Sequence, residues 1–246
     1  MEERPILILA LRRVGGTSLV KFLSNISAYE TLEHEPFNAD RSLGAITRSF
    51  QENGDARKAK DAIKAALGQP VVIKHCIDTV PQTITRAVIE CCDELNYRFI
   101  WLTRNDETAR LLSLLLAQQT DMWDEDGLEK IYSAVVDGRL EMKPFDLGYL
   151  LEQREGDRQS MQFTLDVLHE RSIVFEKIIF EDFYRDAAST VANAISLANR
   201  IAIKIDANDS RLSILASQRR RLSSLLLEKV PNVSAAKSIL NQTGSS

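Results

Sequence analysis

The feature that most constrains the fold is an apolar segment near the amino terminus that leads into a glycine-containing turn. Residues 6–11 are continuously apolar, as in a strand that is buried on both faces of a parallel sheet. Residues 12–18 are largely small or polar, and apolar side chains then recur with helical spacing between Leu19 and Leu23. This pattern predicts a β-strand, a tight turn and an α-helix in direct succession.

The predicted turn has the composition of an anion-binding loop. Gly15 and Gly16 allow the backbone to approach a ligand closely, and the first turn of a helix offers free N–H groups and a partial positive charge. Thr17 and Ser18 add hydroxyl groups, and Arg13 adds a permanent charge. The loop is too short for a Walker A motif and lacks its lysine. A plain strand-to-helix turn of a doubly wound fold is the simpler alternative.

A second segment has a similar arrangement. Residues 99–102 form a predicted buried strand that is followed by Arg104. Asp106 is a suitable N-cap for the next helix, and Ser113 lies two helical turns further on. An arginine at a strand end and a serine on the following helix can hold one phosphate from two sides. The alternative is a surface ion pair between Asp106 and Arg110 with an incidental serine.

Together, the two segments resemble the sulfotransferase family that uses 3′-phosphoadenosine 5′-phosphosulfate. Residues 13–18 are similar to the 5′-phosphosulfate loop of that family, and the Arg104 and Ser113 pair is similar to its 3′-phosphate motif. Three departures are Val14 and Gly16, which stand where serine or threonine is usual, and the absence of the proline that often follows the arginine and asparagine of the second motif. Other stretches that resemble the family are residues 34–38, 180–183 and 113–123, the last of which points to the bacterial trehalose sulfotransferase-like branch.

The resemblance implies a fold, a reaction and a co-substrate site. The fold is a doubly wound parallel α/β sheet of P-loop-like sulfotransferase type with helical insertions. The reaction moves a sulfuryl group from the co-substrate to a hydroxyl of a sugar, lipid or other small metabolite. The loop residues Arg13, Gly15, Gly16, Thr17 and Ser18 would hold the phosphosulfate. No metal ion is expected, because arginine and backbone donors can cover the charge that develops during transfer.

A base must also accept the proton of the acceptor hydroxyl, and two candidates stay open. Glu35 follows the second extended segment, and residues 113–123 favour it because they point to the branch that uses a carboxylate. Burial would have to raise the pKa of Glu35 for this role. His75 ends a strand predicted at residues 71–75 and has the more suitable ordinary pKa.

The length and the order of the predicted elements indicate one domain. Residues 1–246 are sufficient for a single α/β domain. Two predicted helices within about 124–170 have no strand between them, which indicates a helical subdomain before the last main strand, at 173–180. We also expect a short edge strand at 201–205 and, at 39–54, a mobile connection with a helical turn.

Composition narrows the class of partner and the compartment. The net charge of −4 disfavours nucleic acid as a partner, and no apolar run is long enough to predict a membrane span. Three cysteines, Cys76, Cys91 and Cys92, do not form a disulfide framework and favour a cytoplasmic protein. The sequence is compatible with a homodimer.

Two other functions stay open. One is an ATP-dependent P-loop-like small-molecule kinase, which the missing Walker lysine and the Arg104 and Ser113 pair disfavour. The other is a catalytically degenerate sulfotransferase-fold nucleotide binder, which Val14 and Gly16 keep open.

Overall fold

A four-stranded parallel sheet organises the chain in a computed structural model that describes residues 2–123, 125–215 and 220–242. The strands are β1 (Ile6–Ala10), β2 (Val72–Cys76), β3 (Arg98–Thr103) and β4 (Phe175–Ile179). They lie in the order β2-β1-β3-β4, and each neighbouring pair is parallel. The predicted parallel α/β sheet is therefore confirmed.

Helices connect and follow the strands. They are α1 (Gly16–Ile26), α2 (Gly44–Asn53), α3 (Ala56–Ala66), α4 (Gln82–Glu94), α5 (Glu107–Thr120), α6 (Glu125–Val136), α7 (Leu147–Glu170), α8 (Phe180–Phe183), α9 (Ala187–Arg200), α10 (Arg220–Leu227) and α11 (Val233–Gln242), with a 3₁₀ helix at Ser210–Leu215. In the described part of the chain, no helix is both long and apolar enough to cross a membrane.

Helices cover both faces of the sheet. Consecutive side chains of a strand point to opposite faces. The side chain of Lys74 on β2 lies against the start of α1, where it contacts Thr17. The next side chain, His75, contacts Thr85 of α4 instead. Helices α1 and α4 therefore pack on opposite faces, which makes the sheet doubly wound and explains why every residue of β1 is fully buried.

The strand order creates a switch point at the carboxyl edge of the sheet. β1 is central, and the chain continues from it to β2 on one side before it crosses to β3 on the other. Doubly wound folds bind ligands at the carboxyl edge of the sheet, at such a switch point. Arg13 follows β1 and Arg104 follows β3.

The chain divides into two compact units. The first comprises Met1–Asn105 and Asp157–Ala216 and contains the whole sheet. The second comprises Asp106–Gly156 and Ser217–Ser246. It has an apolar core of its own, which includes Leu111, Leu115, Leu150 and Leu226. The prediction of a single domain with a helical subdomain at about 124–170 stays a prediction.

The structure differs from two local predictions for physical reasons. Residues 201–205 form no strand, because the N–H group of Ile203 donates to the carbonyl of Ala198 and thereby completes the end of α9. Residues 39–54 contain more helix than the predicted turn, because most of them form α2. The buried hydroxyl of Thr47 fastens that helix by donating to the carbonyl of Phe37 over 2.6 Å.

Candidate functional site

The loop after β1 is anchored by an arginine that the sequence did not assign to any role. The Nε atom of Arg12 lies 2.7 Å from Oδ2 of Asp78, whose side chain is almost fully buried. The backbone N–H group of Arg12 donates to the other carboxylate oxygen of Asp78. This pair fixes the loop to the segment after β2, so Arg12 serves the structure.

Gly15 is required by the aromatic residues that pack beneath the loop. Its φ of 81° lies in the left-handed region. A Cβ atom there would lie 2.8 Å from the ring of Phe180 and 3.0 Å from that of Tyr184. The Tyr184 hydroxyl also donates to the carbonyl of Gly15 over 3.2 Å. The loop therefore takes its shape from α8 as well as from its own sequence.

Gly16 makes room for a buried lysine. A Cβ atom at Gly16 would lie 2.6 Å from Cδ of Lys74, so a larger residue there would require the aliphatic stem of that lysine to shift. The Nζ atom of Lys74 lies 3.5 Å from Oγ1 of Thr17. Protein side chains thus pack closely against both Gly15 and Gly16. The close approach of these two glycines to a ligand stays a prediction.

The amino terminus of α1 has the electrostatics of an anion site. No side chain caps this helix, and no acidic residue lies in its first turn. Its N–H groups and dipole therefore favour a negative charge. Thr17 is half-buried, and Ser18 is 9% exposed. The structure thus brings four predicted residues, Gly15 to Ser18, to one helix end beside Arg13.

Arg104 lies next to this loop. Its Nη1 atom donates to the carbonyl of Arg13 over 3.3 Å. Burial, together with the positive charge of Arg104, lowers the pKa of Arg13. Two guanidinium groups thus lie on the two loops of the switch point.

Helix α8 and its neighbours hold Arg104 in place. The guanidinium carbon lies 4.8 Å from the centroid of the Phe180 ring. The Nε atom of Arg104 lies 3.5 Å from Oε1 of Glu181, whose other oxygen accepts the N–H group of Asn105. Residues 180–183, noted in the sequence only as a resemblance, therefore support both arginine loops.

Glu35 and Lys74 form a largely buried ion pair. The Nζ atom of Lys74 lies 2.5 Å from Oε1 of Glu35, and their side chains are 7% and 18% exposed. The other oxygen of Glu35 accepts the side-chain amide of Asn38 over 2.8 Å, and the amide oxygen of Asn38 accepts the Thr79 hydroxyl. Glu35 itself has a left-handed φ of 64°, so the surrounding contacts over-determine its position.

The electrostatics of the pair differ from the expectation for a carboxylate base. Burial acts to raise the pKa of Glu35, but the positive charge and hydrogen bond of Lys74 outweigh it, so the pKa lies below its ordinary value. Burial disfavours the charged Lys74, yet its neighbours Cys76 and Glu35 hold the pKa of Lys74 above the ordinary value. Glu35 therefore lacks the raised pKa that the role of a base would require, because Lys74 lies beside it.

His75 is separated from this group. It lies on the face of the sheet opposite to Lys74, is 1% exposed, and its Nε2 atom lies 3.0 Å from Oγ1 of Thr85. Burial lowers its pKa to about 4. The geometry therefore favours Glu35 over His75 as a base, while both assignments stay predictions.

Ser113 belongs to the second compact unit, where it is half-buried on α5. Asp106 caps this helix as predicted, because its carboxylate accepts the N–H group of Ala109 over 2.8 Å. The joint role of Ser113 and Arg104 at one phosphate stays a prediction.

Comparisons with known proteins gave structural similarities only. No protein-family model and no curated protein sequence matches the chain. A sulfotransferase domain from the curacin biosynthetic pathway is similar at a TM-score of 0.42, with 16% identity and 98% of each chain covered. A sulfotransferase from Alicyclobacillus acidocaldarius gives 0.43 with 12% identity, over 98% of this chain and 96% of the other. The sulfotransferase domain of the Synechococcus PCC 7002 olefin synthase gives 0.43 with 13% identity, over the same shares.

Proposed function

We propose that this chain is a sulfotransferase that transfers the sulfuryl group of 3′-phosphoadenosine 5′-phosphosulfate to a hydroxyl of a small acceptor. One observation carries the proposal: Arg13 and Arg104 lie next to each other on the two loops of the switch point, beside an uncapped helix amino terminus. A nucleotide with anionic groups at both its 5′ and 3′ positions matches two arginines that a singly anionic ligand would not use.

Each residue has a distinct role in this proposal. The N–H groups of Gly15 to Ser18 and the guanidinium of Arg13 bind the phosphosulfate and stabilise the charge on the leaving phosphate. Arg104 binds the 3′-phosphate. Glu35 takes the proton of the acceptor hydroxyl. At the same time the hydroxyl oxygen of the acceptor forms a bond to sulfur, and the bond between sulfur and the phosphate oxygen breaks. Adenosine 3′,5′-bisphosphate and a sulfate ester are the products.

Finer features of the proposal rest on the sequence. They are the contribution of Ser113 to the 3′-phosphate site, the trehalose sulfotransferase-like branch, a sugar, lipid or metabolite acceptor, turnover without a metal ion, a cytoplasmic location and a homodimer.

Calorimetry and a turnover assay test the proposal in sequence. The chain should bind adenosine 3′,5′-bisphosphate at least tenfold more tightly than AMP or ATP, because each charge-assisted contact contributes about 1.5–3 kcal/mol. Preference for ATP with magnesium would favour the kinase alternative instead. Transfer of ³⁵S from the labelled co-substrate to a panel of hydroxyl acceptors then measures catalysis.

A nucleotide binder without turnover is the second candidate. Val14 is buried and offers no hydroxyl, and Glu35 is bonded to Lys74 rather than available to a substrate. Tight bisphosphate binding with no ³⁵S transfer to any acceptor would favour this reading.

A further inference from the structure

Lys74 connects the predicted anion loop to the candidate base. Nζ of Lys74 lies 2.5 Å from Glu35 and 3.5 Å from the hydroxyl of Thr17. Thr17 belongs to the first turn of α1, whereas Glu35 belongs to a separate segment that reaches the sheet at the bridge between His34 and Lys74. The ammonium group of Lys74 thus contacts both the Thr17 hydroxyl and the Glu35 carboxylate.

Lys74 can respond to an anion without leaving its position. Its ammonium has three N–H donors, and its stem is held between β2 and Gly16. A negative charge at Thr17 would therefore compete directly with Glu35 for the same ammonium. At about 4 Å the attraction between unit charges is substantial in a partly buried site, so the competition is effective over the distances seen here.

We infer that Lys74 is a positioning residue that makes the basicity of Glu35 depend on occupancy of the anion loop. Without an anion at Thr17, Lys74 holds Glu35 in an ion pair, and the carboxylate is a poor proton acceptor. An anion bound at the loop draws the ammonium towards itself and weakens the pair, so Glu35 becomes basic only when the sulfuryl donor is in place. The inference rests on the proposed function, whose regulation it specifies.

Several other groups act on this pair and must be held constant in a test. They are His34, His75, Cys76 and Asp78. The pKa of Cys76 is raised by burial, so its thiol stays neutral through the acid range in which Glu35 titrates. The Glu35 carboxyl signal is therefore the direct readout.

Carbon-13 NMR of glutamate-labelled protein measures that signal, with Glu35→Gln used for its assignment. In the wild type, saturating adenosine 3′,5′-bisphosphate should raise the pKa of Glu35 by about one unit or more. In Lys74→Met the pKa should be raised already and should not respond to the nucleotide. An unchanged Glu35 pKa in the wild type, or an equal response in Lys74→Met, would overturn the inference.

A second measurement does not depend on the folding of a Lys74 variant. Glu35→Gln removes the charge that competes for Lys74, so it should bind the bisphosphate about tenfold more tightly. Glu33→Gln is the matched control, because it removes the same charge from a carboxylate that pairs with Arg41 instead, and its affinity should change less than twofold. Equal changes in bisphosphate affinity for the two variants would contradict the competition between Glu35 and the bound anion for Lys74.

Inorganic pyrophosphate separates this inference from the proposed function. If the bisphosphate does not bind, the proposed function fails. A rise in the Glu35 pKa with pyrophosphate would still support the coupling through Lys74. The coupling is overturned if neither anion binds, because it requires an anion at the loop.

Discussion

Lys74 and His75 are consecutive residues of β2, yet their side chains lie on opposite faces of the sheet. Lys74 contacts Thr17 and Glu35 on the face of α1, and His75 contacts Thr85 on the face of α4. The register of β2 against β1 fixes this choice, because a slip by one residue would exchange the two side chains. The strand therefore brings a cation, not an imidazole, to the anion loop.

The first prediction concerns the base. Glu35→Gln should lower kcat at least 100-fold, because general bases contribute about 10²- to 10⁴-fold, whereas His75→Asn should lower it less than fivefold. Initial rates of ³⁵S transfer to one acceptor measure both effects. Full activity in Glu35→Gln with loss of activity in a folded His75→Asn would move the base to His75.

The second prediction concerns Arg104. Arg104→Ala should weaken binding of adenosine 3′,5′-bisphosphate at least tenfold and change AMP binding less than twofold, because the lost guanidinium faces the 3′-phosphate. Calorimetry with both ligands measures the ratio. Arg200→Ala is the control, since Arg200 forms an exposed ion pair with Glu176 in the same unit. Equal losses for both ligands would show that Arg104 only supports the loop of Arg13.

The third prediction compares two glycines with left-handed backbones. Gly15→Ala should abolish bisphosphate binding and lower the free energy of unfolding by about 3 kcal/mol or more, because it adds a clash with Phe180 to a backbone strain of about 1–2 kcal/mol. Gly54 also has a left-handed φ, of 70°, but no atom lies near the position of the new Cβ. Gly54→Ala should therefore lower the free energy of unfolding by the backbone strain alone and should retain bisphosphate binding. Urea denaturation and calorimetry measure both. Equal destabilisation would remove the packing role of Phe180.

The fourth prediction concerns stability in acid. The pKa of His75 falls to about 4 in the folded chain from an ordinary value of 6.5, so the unfolded chain takes up the proton first. Proton uptake by His75 therefore leaves the free energy of unfolding unchanged above about pH 6.5. As the pH falls from 6.5 towards 4, it lowers that free energy by about 3 kcal/mol in total. His75→Asn should lack this component. Urea denaturation of both proteins at pH 7.5 and pH 5 gives the difference, and parallel losses would mean that His75 is not the group responsible.

The sequence was most informative where local periodicity decides structure. The continuous apolar run of β1 and the N-cap of α5 at Asp106 follow from residues that lie close together in the chain. The loop of Arg13 to Ser18 was predicted for the same reason. The strand order β2-β1-β3-β4 is set by long-range pairing, and no local pattern encodes it.

Long-range contacts explain what the sequence did not predict. Lys74 lies within an apolar strand, where a lysine has no visible partner until Glu35 is brought beside it. Arg12 and Arg13 are adjacent and look equivalent, and only the distant Asp78 separates their roles. Ile201 and Ile203 alternate like strand residues because both face the core, while the backbone between them completes a helix end.

The contact between Tyr184 and Gly15 joins residues that are 169 positions apart. A chain leaving the ribosome exposes the whole Gly15 to Ser18 motif almost at once, but it gains the aromatic support of that motif only after α8 has been synthesised. The shape of the motif therefore depends on a contact that cannot form before residue 184 has been synthesised. A product truncated between β3 and α8 would carry both arginine loops and still lack the contact that shapes the first of them.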